Sequence, residues 1–265
     1  MARVKEIYEY LDGKAPFRYQ ESFDNAGFLV GRGDSQVRRV LVALDITPET
    51  VREAVEKDVQ LIVAHHPVIW GQISQVTDAT TTGKNLLALI ENGIAAICAH
   101  TNLDAVEGGV NTALAERLGL ENTVPLEEGG TDGEGIPYGI GRVGGLPDGP
   151  IPLADFVRRL KQALSLEGVR VLDAGVPVSR VAVGGGACGS MLPLVSAMGC
   201  DTFVTSDLKH DLYLESRALG INLLDAGHYS TETVVCPALA EWLHAGFPDL
   251  GVLISETQGE VFAYF

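Results

Sequence analysis

Positive charge is scarce in this chain. Lysine and arginine number 19 against 35 aspartates and glutamates, a formal net charge of −16 over 265 residues. Affinity for DNA or RNA comes mostly from cations on phosphates. The charge therefore opposes direct nucleic-acid binding and adsorption to an anionic membrane; the acid excess reads as a solvated surface. No apolar run reaches the roughly 18 residues that a membrane span needs. The first residues, MARVKEIYEYL, lack the apolar stretch of a secretory signal. They read instead as an amphipathic helix with Val4, Ile7, Tyr8 and Leu11 on one face, and a cytoplasmic protein is expected. Cysteine is sparse too: Cys98, Cys188, Cys200 and Cys236 form no CxxC pair. Most lie in apolar surroundings, which points to buried thiols in a reducing compartment, with a zinc–thiolate site as the alternative. Short repeats and low-complexity tracts are absent.

What is present is apolar: 46% of residues are hydrophobic, enough for a packed core. β-Branched runs alternate with helical patterns. VRRVLVALD (37–45), VQLIVAH (59–65) and AAICAH (95–100) read as strands, each followed by a helix, the first of which starts at Pro48. Continuously apolar strands in βαβ order are the mark of a parallel sheet covered on both faces. Residues 121–136, ENTVPLEEGGTDGEGI, are acidic, glycine-rich and without periodicity, and read as a boundary or exposed loop. A second set of strands and helices follows, including RVAVGGG, CDTFVTSD and INLLDAG as strands and TETVVCPALAEWLHAG as one long helix. The fold class is α/β in two linked domains, 1–125 and 126–265. The last helix and strand are free, on this reading, to return to the first domain.

Four of the six histidines fall in three short stretches, AHHPVIW (64–70), AHTNLDA (99–105) and DAGHYSTE (225–232). All three lie at the carboxyl ends of expected strands, where open parallel sheets gather ligands. Histidine with carboxylate suits a divalent metal such as Zn, Fe or Mn. Adjacent strand residues point to opposite faces, so His65 and His66 converge only if the chain bends before Pro67; otherwise they serve separate metals or are a hydrogen-bonded pair. His100 could be a ligand, an acid/base group or an orienter of ligands, and Asp104 a ligand or merely the cap of a helix starting near 107–109. His228 and Glu232 are four apart. With Ser230 or Thr231 as N-cap, Glu232 would sit in the first helical turn, where the helix dipole favours a carboxylate anyway. Five or six protein ligands exceed the needs of one catalytic zinc, which favours two metals bridged by Asp104 or Glu232.

GGGACGS (184–190) contains G-x-G-x-x-G at Gly184, Gly186 and Gly189. Three readings stay open: a dinucleotide fingerprint, a nest formed with Gly185 for a phosphate or other anion, and close strand–helix packing. Asp24 and Asn25 in ESFDNAGFLVG (21–31) read as an Asx turn. His210 and His244 read as solvated or capping residues.

The stretches SFDNAGFLVG, ALDIT, AHHPVIW, AHTNLDA, GGGACGS, TSDLKHD and DAGHYSTE together resemble the Nif-three-like (NGG-one-interacting factor three) family, whose members commonly bear the name GTP cyclohydrolase I type 2 homologue. The resemblance implies two interlinked α/β domains with mostly parallel sheets, a dinuclear centre and a toroidal homohexamer. By motif it places the metal ligands on His65, His66, Asp104, His228 and Glu232, with His100 as a further histidine lining the site. Two divalent ions are implied, chosen from Zn, Fe, Mn, Ni and Co. At TSDLKHD the family often has two adjacent histidines, whereas this chain has His210 followed by Asp211. The length matches the family's short form, without an inserted domain. The implied reaction is hydrolytic attack at C8 of GTP, or on a related anionic substrate, with His100 shuttling protons and Gly184–Gly189 receiving the triphosphate. Metal storage or delivery, or a regulatory role through a protein partner, is the non-enzymatic alternative.

Overall fold

A computed structural model describes residues 1–264. The chain forms two compact units. The first comprises Met1–Leu103 and Cys236–Gly259; the second comprises Asp104–Val235 and a terminal stretch from Glu260. The boundary thus falls at 103/104 rather than 125/126. The reason is packing: Leu114, Ala115 and Leu118 join the same apolar cluster as Val181, Val183 and Val204 of the second unit's sheet.

In the first unit the strands Arg39–Ala43, Leu61–Ala64 and Ala95–Cys98 pair in parallel. Nearly every residue in them is buried, as expected of a sheet with both faces covered. Gly251–Ile254 adds a parallel strand at one edge and Gly27–Val30 an antiparallel one at the other. The helix Pro48–Glu56 starts where Thr47 accepts the Thr50 amide and proline occupies the first turn. Val51 and Ala54 from this helix, and Leu86 and Leu89 from Thr81–Glu91, bury against Leu41, Ile62 and Ala96 of the sheet.

One carboxylate ties the returning C-terminal segment to this unit. Glu53 accepts from Lys57 Nζ (2.7 Å), Ser255 Oγ (2.6 Å), the Glu256 amide (3.0 Å) and Thr257 Oγ1 (3.0 Å). Burial alone would raise its pKa, but these donors outweigh burial and hold it at about 2. A depressed folded-state pKa stabilises above the unfolded value and loses that contribution as pH falls. Glu53→Gln should therefore lower the unfolding free energy at neutral pH by on the order of 2 kcal/mol. In urea melts the gap between the two proteins should narrow as pH drops from about 4.5 toward about 2. A gap that does not change with pH would contradict this account of the clamp.

The second unit has a six-stranded sheet whose centre is parallel: Arg180–Val183, Thr202–Thr205 and Asn222–Asp225. Its flanks are antiparallel, with Pro137–Gly145 and then Glu121–Thr131 on one side and Arg170–Leu172 on the other. The expectation of mostly parallel sheets therefore holds in the first unit and only at the centre of the second. Residues 121–136 are not a loop: Glu121–Thr131 is a strand of a hairpin with Pro137–Gly145. The hairpin is closed by Asp132, whose Oδ1 accepts the Glu134 and Ile136 amides. The helix Leu153–Ala163 buries Phe156 and Leu160 on this unit's core. No helix among the described residues is long and apolar enough to cross a membrane.

Candidate metal centre

In the first unit the chain bends immediately after the strand Leu61–Ala64. The ladder extends just far enough for the His65 and His66 amides to reach the Ala43 and Leu44 carbonyls. The two rings then converge instead of pointing to opposite faces. Their centroids lie 4.9 Å apart, and His100 is 5.0 Å from His65 and 5.5 Å from His66. Ligand atoms of all three lie within 4.8 Å of one another. His100 follows the strand Ala95–Cys98 and precedes the short helix Thr101–Ala105.

The second unit's candidate ligands come from two short helices. Asp104 lies within Thr101–Ala105 and is buried; it does not cap the later helix Val110–Arg117, whose N-cap is Gly109. Asn111 holds its backbone, donating from Nδ2 to the Asp104 carbonyl at 3.0 Å. His228 and Glu232 occupy the first and last positions of the helix His228–Glu232, capped at Gly227 rather than at Ser230 or Thr231. The i,i+4 spacing puts them on one face, with Nε2 of His228 3.1 Å from Oε2 of the buried Glu232. A separate helix, Val235–Gly246, follows. Pro237 explains the break, because in a continuous helix its ring would clash with the Thr233 carbonyl.

Each of the four rings is held at Nδ1 by an oxygen. His65 Nδ1 meets the Ala99 carbonyl at 2.9 Å, which can only accept, so the proton sits on Nδ1 and the neutral ring keeps its lone pair on Nε2. His66 is held by Asp45 (2.8 Å), His100 by Asp24 (2.9 Å) and His228 by Asp207 (2.6 Å). This is the support that metal-binding histidines need, because it fixes ring orientation. The donor set, imidazole plus buried carboxylate, fits Zn, Fe, Mn, Ni or Co. Asp24 is the most heavily used acceptor of the three, taking the Asn25 amide (2.7 Å), the Thr101 amide (3.0 Å) and the Thr101 hydroxyl besides the His100 ring. Burial would raise its pKa, but His100 and Thr101 outweigh burial and hold it at about 2.

The glycine loop serves Glu232. Gly186 has φ +62, and a Cβ there would lie 2.1 Å from Glu232 Oε1 and 3.2 Å from His228 Cε1. The amides of Gly184, Gly185 and Gly186 go to Val204 O, Asn111 Oδ1 and Thr231 Oγ1. Gly189 gives room to Leu212, and the helix beyond, Leu192–Ala197, is short. Of the three readings of this loop, close packing is the one these contacts describe.

Asp45 and Asp207 are supports that the spacing of the histidine stretches does not mark, and Asp24, expected in an Asx turn, also holds His100. The one available signal was that each stands at or next to a strand end in a stretch otherwise unexplained. His210 is the exposed first residue of the helix His210–Leu219, and His244 lies exposed in the last turn of its helix, near the negative end of the dipole. The Cys98 thiol is pushed up to about 12 by burial. Burial, then the Asp104 and Glu232 charges, raises that of Cys188. No cysteine belongs to a metal-competent group among the described residues.

Two α/β units whose strand ends carry oriented imidazoles and buried carboxylates define a candidate metal-binding protein of mixed α/β class. The chain belongs to the Duf34/NIF3 (NGG1p interacting factor 3) family, whose model matches residues 2–260. It is 39% identical over 240 residues to a GTP cyclohydrolase 1 type 2 homolog of Streptomyces coelicolor, covering 89% of this chain and 84% of that one. The similarly named protein of Clostridium perfringens is 30% identical over 240 residues, covering 90% of each. Among solved structures, a Staphylococcus aureus hypothetical protein matches with TM-score 0.91 at 30% identity, covering 99% of both chains. A Bacillus cereus protein related to NIF3, 23% identical and covering 100% of this chain and 99% of its own, shares the fold with TM-score 0.91.

Proposed function

We propose that the chain is a dinuclear metal protein. His65, His66, Asp104, His228 and Glu232 hold two divalent ions, and the centre hydrolyses a nucleotide or related anionic substrate, as the GTP cyclohydrolase name of its relatives implies. The observation that carries this reading is the support at every ring: four Nδ1 atoms tied to oxygens, which fixes each imidazole's orientation. When bound, such ions lower the pKa of a water ligand toward neutrality and so supply a nucleophile.

The chain's own residues then divide the proton work. Asp24 keeps the His100 proton on Nδ1, so His100 Nε2 is the atom that accepts a proton from the attacking water and returns it to the departing nitrogen. The buried Asp24 carboxylate stabilises the imidazolium that forms between those steps. Asp45 and Asp207 hold the ligating rings still. The Gly184–Gly189 loop enters as the cradle of Glu232 and not as an anion nest. A homohexamer, implied by the resemblance, belongs to the same reading.

The test is formate release from GTP by metal-loaded protein, with His66→Ala as control. The account expects the variant to fall to background. Equal rates in the two proteins would mean a contaminating activity, and metal-loaded protein with no turnover would favour storage or delivery.

A further inference from the structure

Two large aromatic side chains stand in solvent beside the histidine cluster of the first unit. Trp70 is 57% exposed and Phe23 is 67% exposed. Folding normally hides such surface, and here it is left open on both. Their rings are 6.4 Å apart and tilted by 52°, and Trp70 meets the His100 ring edge-on at 5.5 Å.

The backbone around them is fixed by the residues that orient His100. Phe23 immediately precedes Asp24, which grips His100 and Thr101. Asn25, next in sequence, donates from Nδ2 to the Ile69 carbonyl at 2.8 Å, immediately before Trp70. The segment Phe23–Asp24–Asn25 therefore binds the acid/base histidine with one residue and the tryptophan loop with another, while displaying its own aromatic ring. A purely structural tie would not require the two rings to face water.

We propose that Trp70 and Phe23 form a stacking platform that seats a planar heteroaromatic ring of the substrate against His100. Open aromatic faces suit this because any flat π-system, a purine in particular, stacks on them without a matching hydrogen-bond code. The inference rests on the hydrolase reading above and specifies which part of the substrate the first unit holds.

The experiment is equilibrium dialysis of metal-loaded protein with guanosine 5′-monophosphate and, separately, ribose 5-phosphate, for wild type, Trp70→Leu and Trp70→Phe. Metal content and oligomeric size are measured on the same samples. The platform predicts that wild type binds the base-bearing probe more tightly than the sugar phosphate. It predicts that Trp70→Leu loses roughly tenfold or more, and that Trp70→Phe, which keeps a ring, restores most of that loss, all at unchanged metal content. Equal affinity for the two probes, or equal affinity in all three proteins, overturns the platform. So does a Trp70→Leu protein that changes oligomeric size but not probe binding, which would make these rings a contact between copies of the chain. Wild-type protein that takes up no metal would instead sink the hydrolase reading itself, and would do so whatever the dialysis showed.

Discussion

Replacing Gly186 with alanine should weaken metal binding and destabilise the second unit at once. The backbone there has φ +62, a region in which a side chain costs about 1 kcal/mol or more. The larger effect is steric. The new Cβ would sit 2.1 Å from Glu232 Oε1, a distance no atom pair tolerates. Glu232 is only 3% exposed and cannot swing into solvent. The loop is equally constrained, because the Gly185 and Gly186 amides are bound to Asn111 and Thr231. Either Glu232 leaves His228 or the loop gives up those bonds, and a total loss of roughly 2–3 kcal/mol is expected. Gly220→Ala is the control. Gly220 has φ +71 and nothing within 4 Å of the added Cβ, so it shares the backbone strain without the clash. Thermal melts with and without added zinc should show metal stabilisation retained in Gly220→Ala and reduced in Gly186→Ala. Unchanged metal uptake and unchanged stability together in Gly186→Ala would contradict the predicted clash at Glu232.

Asp45→Ala and Asp207→Ala should each lower metal affinity by roughly 10- to 100-fold, although neither residue is assigned as a ligand. Asp45 holds His66 Nδ1 at 2.8 Å and Asp207 holds His228 Nδ1 at 2.6 Å. Without its carboxylate each imidazole is free to rotate or to take the other tautomer, and Nε2 is no longer committed to the lone pair a cation needs. Both aspartates have exposed side chains, 45% and 55%, so truncation opens no core cavity and the fold should survive. Competition against a chromophoric chelator reads the affinity directly. Wild-type affinity in both variants would mean that the rings are oriented by something other than these contacts.

The elements that position the site are legible in the sequence because their burial is extreme. Arg39–Ala43, Leu61–Ala64 and Ala95–Cys98 are apolar almost throughout, and each leads to a bend that carries Asp45, the pair His65–His66 or His100. Two of these runs end in histidine, which marks His65, His66 and His100. The hairpin Glu121–Thr131 with Pro137–Gly145 was hidden because its first strand is mostly solvent-exposed and carries two adjacent glycines, so no alternation survives to mark it. The same hairpin hid the unit boundary, since the helix Val110–Arg117 before it packs on the second sheet. Pro237 marks the break after Glu232, although a helical pattern runs on either side of it.

The supporting aspartates were the least legible part. Asp24 lies 76 residues from His100, and Asp45 and Asp207 each lie 21 residues from their rings. Only the sheet order brings such pairs together, and an isolated aspartate near a turn has a local explanation that satisfies every short-range rule. The candidate ligands cluster within five-residue windows, so spacing marks them and not their supports.

The central claim is that two divalent ions are held by imidazoles and carboxylates drawn from distant parts of the chain. Elemental analysis of protein purified without added metal, then re-measured after incubation with excess zinc or manganese and dialysis, tests it most directly. The account predicts two equivalents per chain in the wild type after loading and a loss of at least one in Glu232→Ala. A wild-type protein that retains none after loading, or a Glu232→Ala protein that retains as much as the wild type, would contradict it.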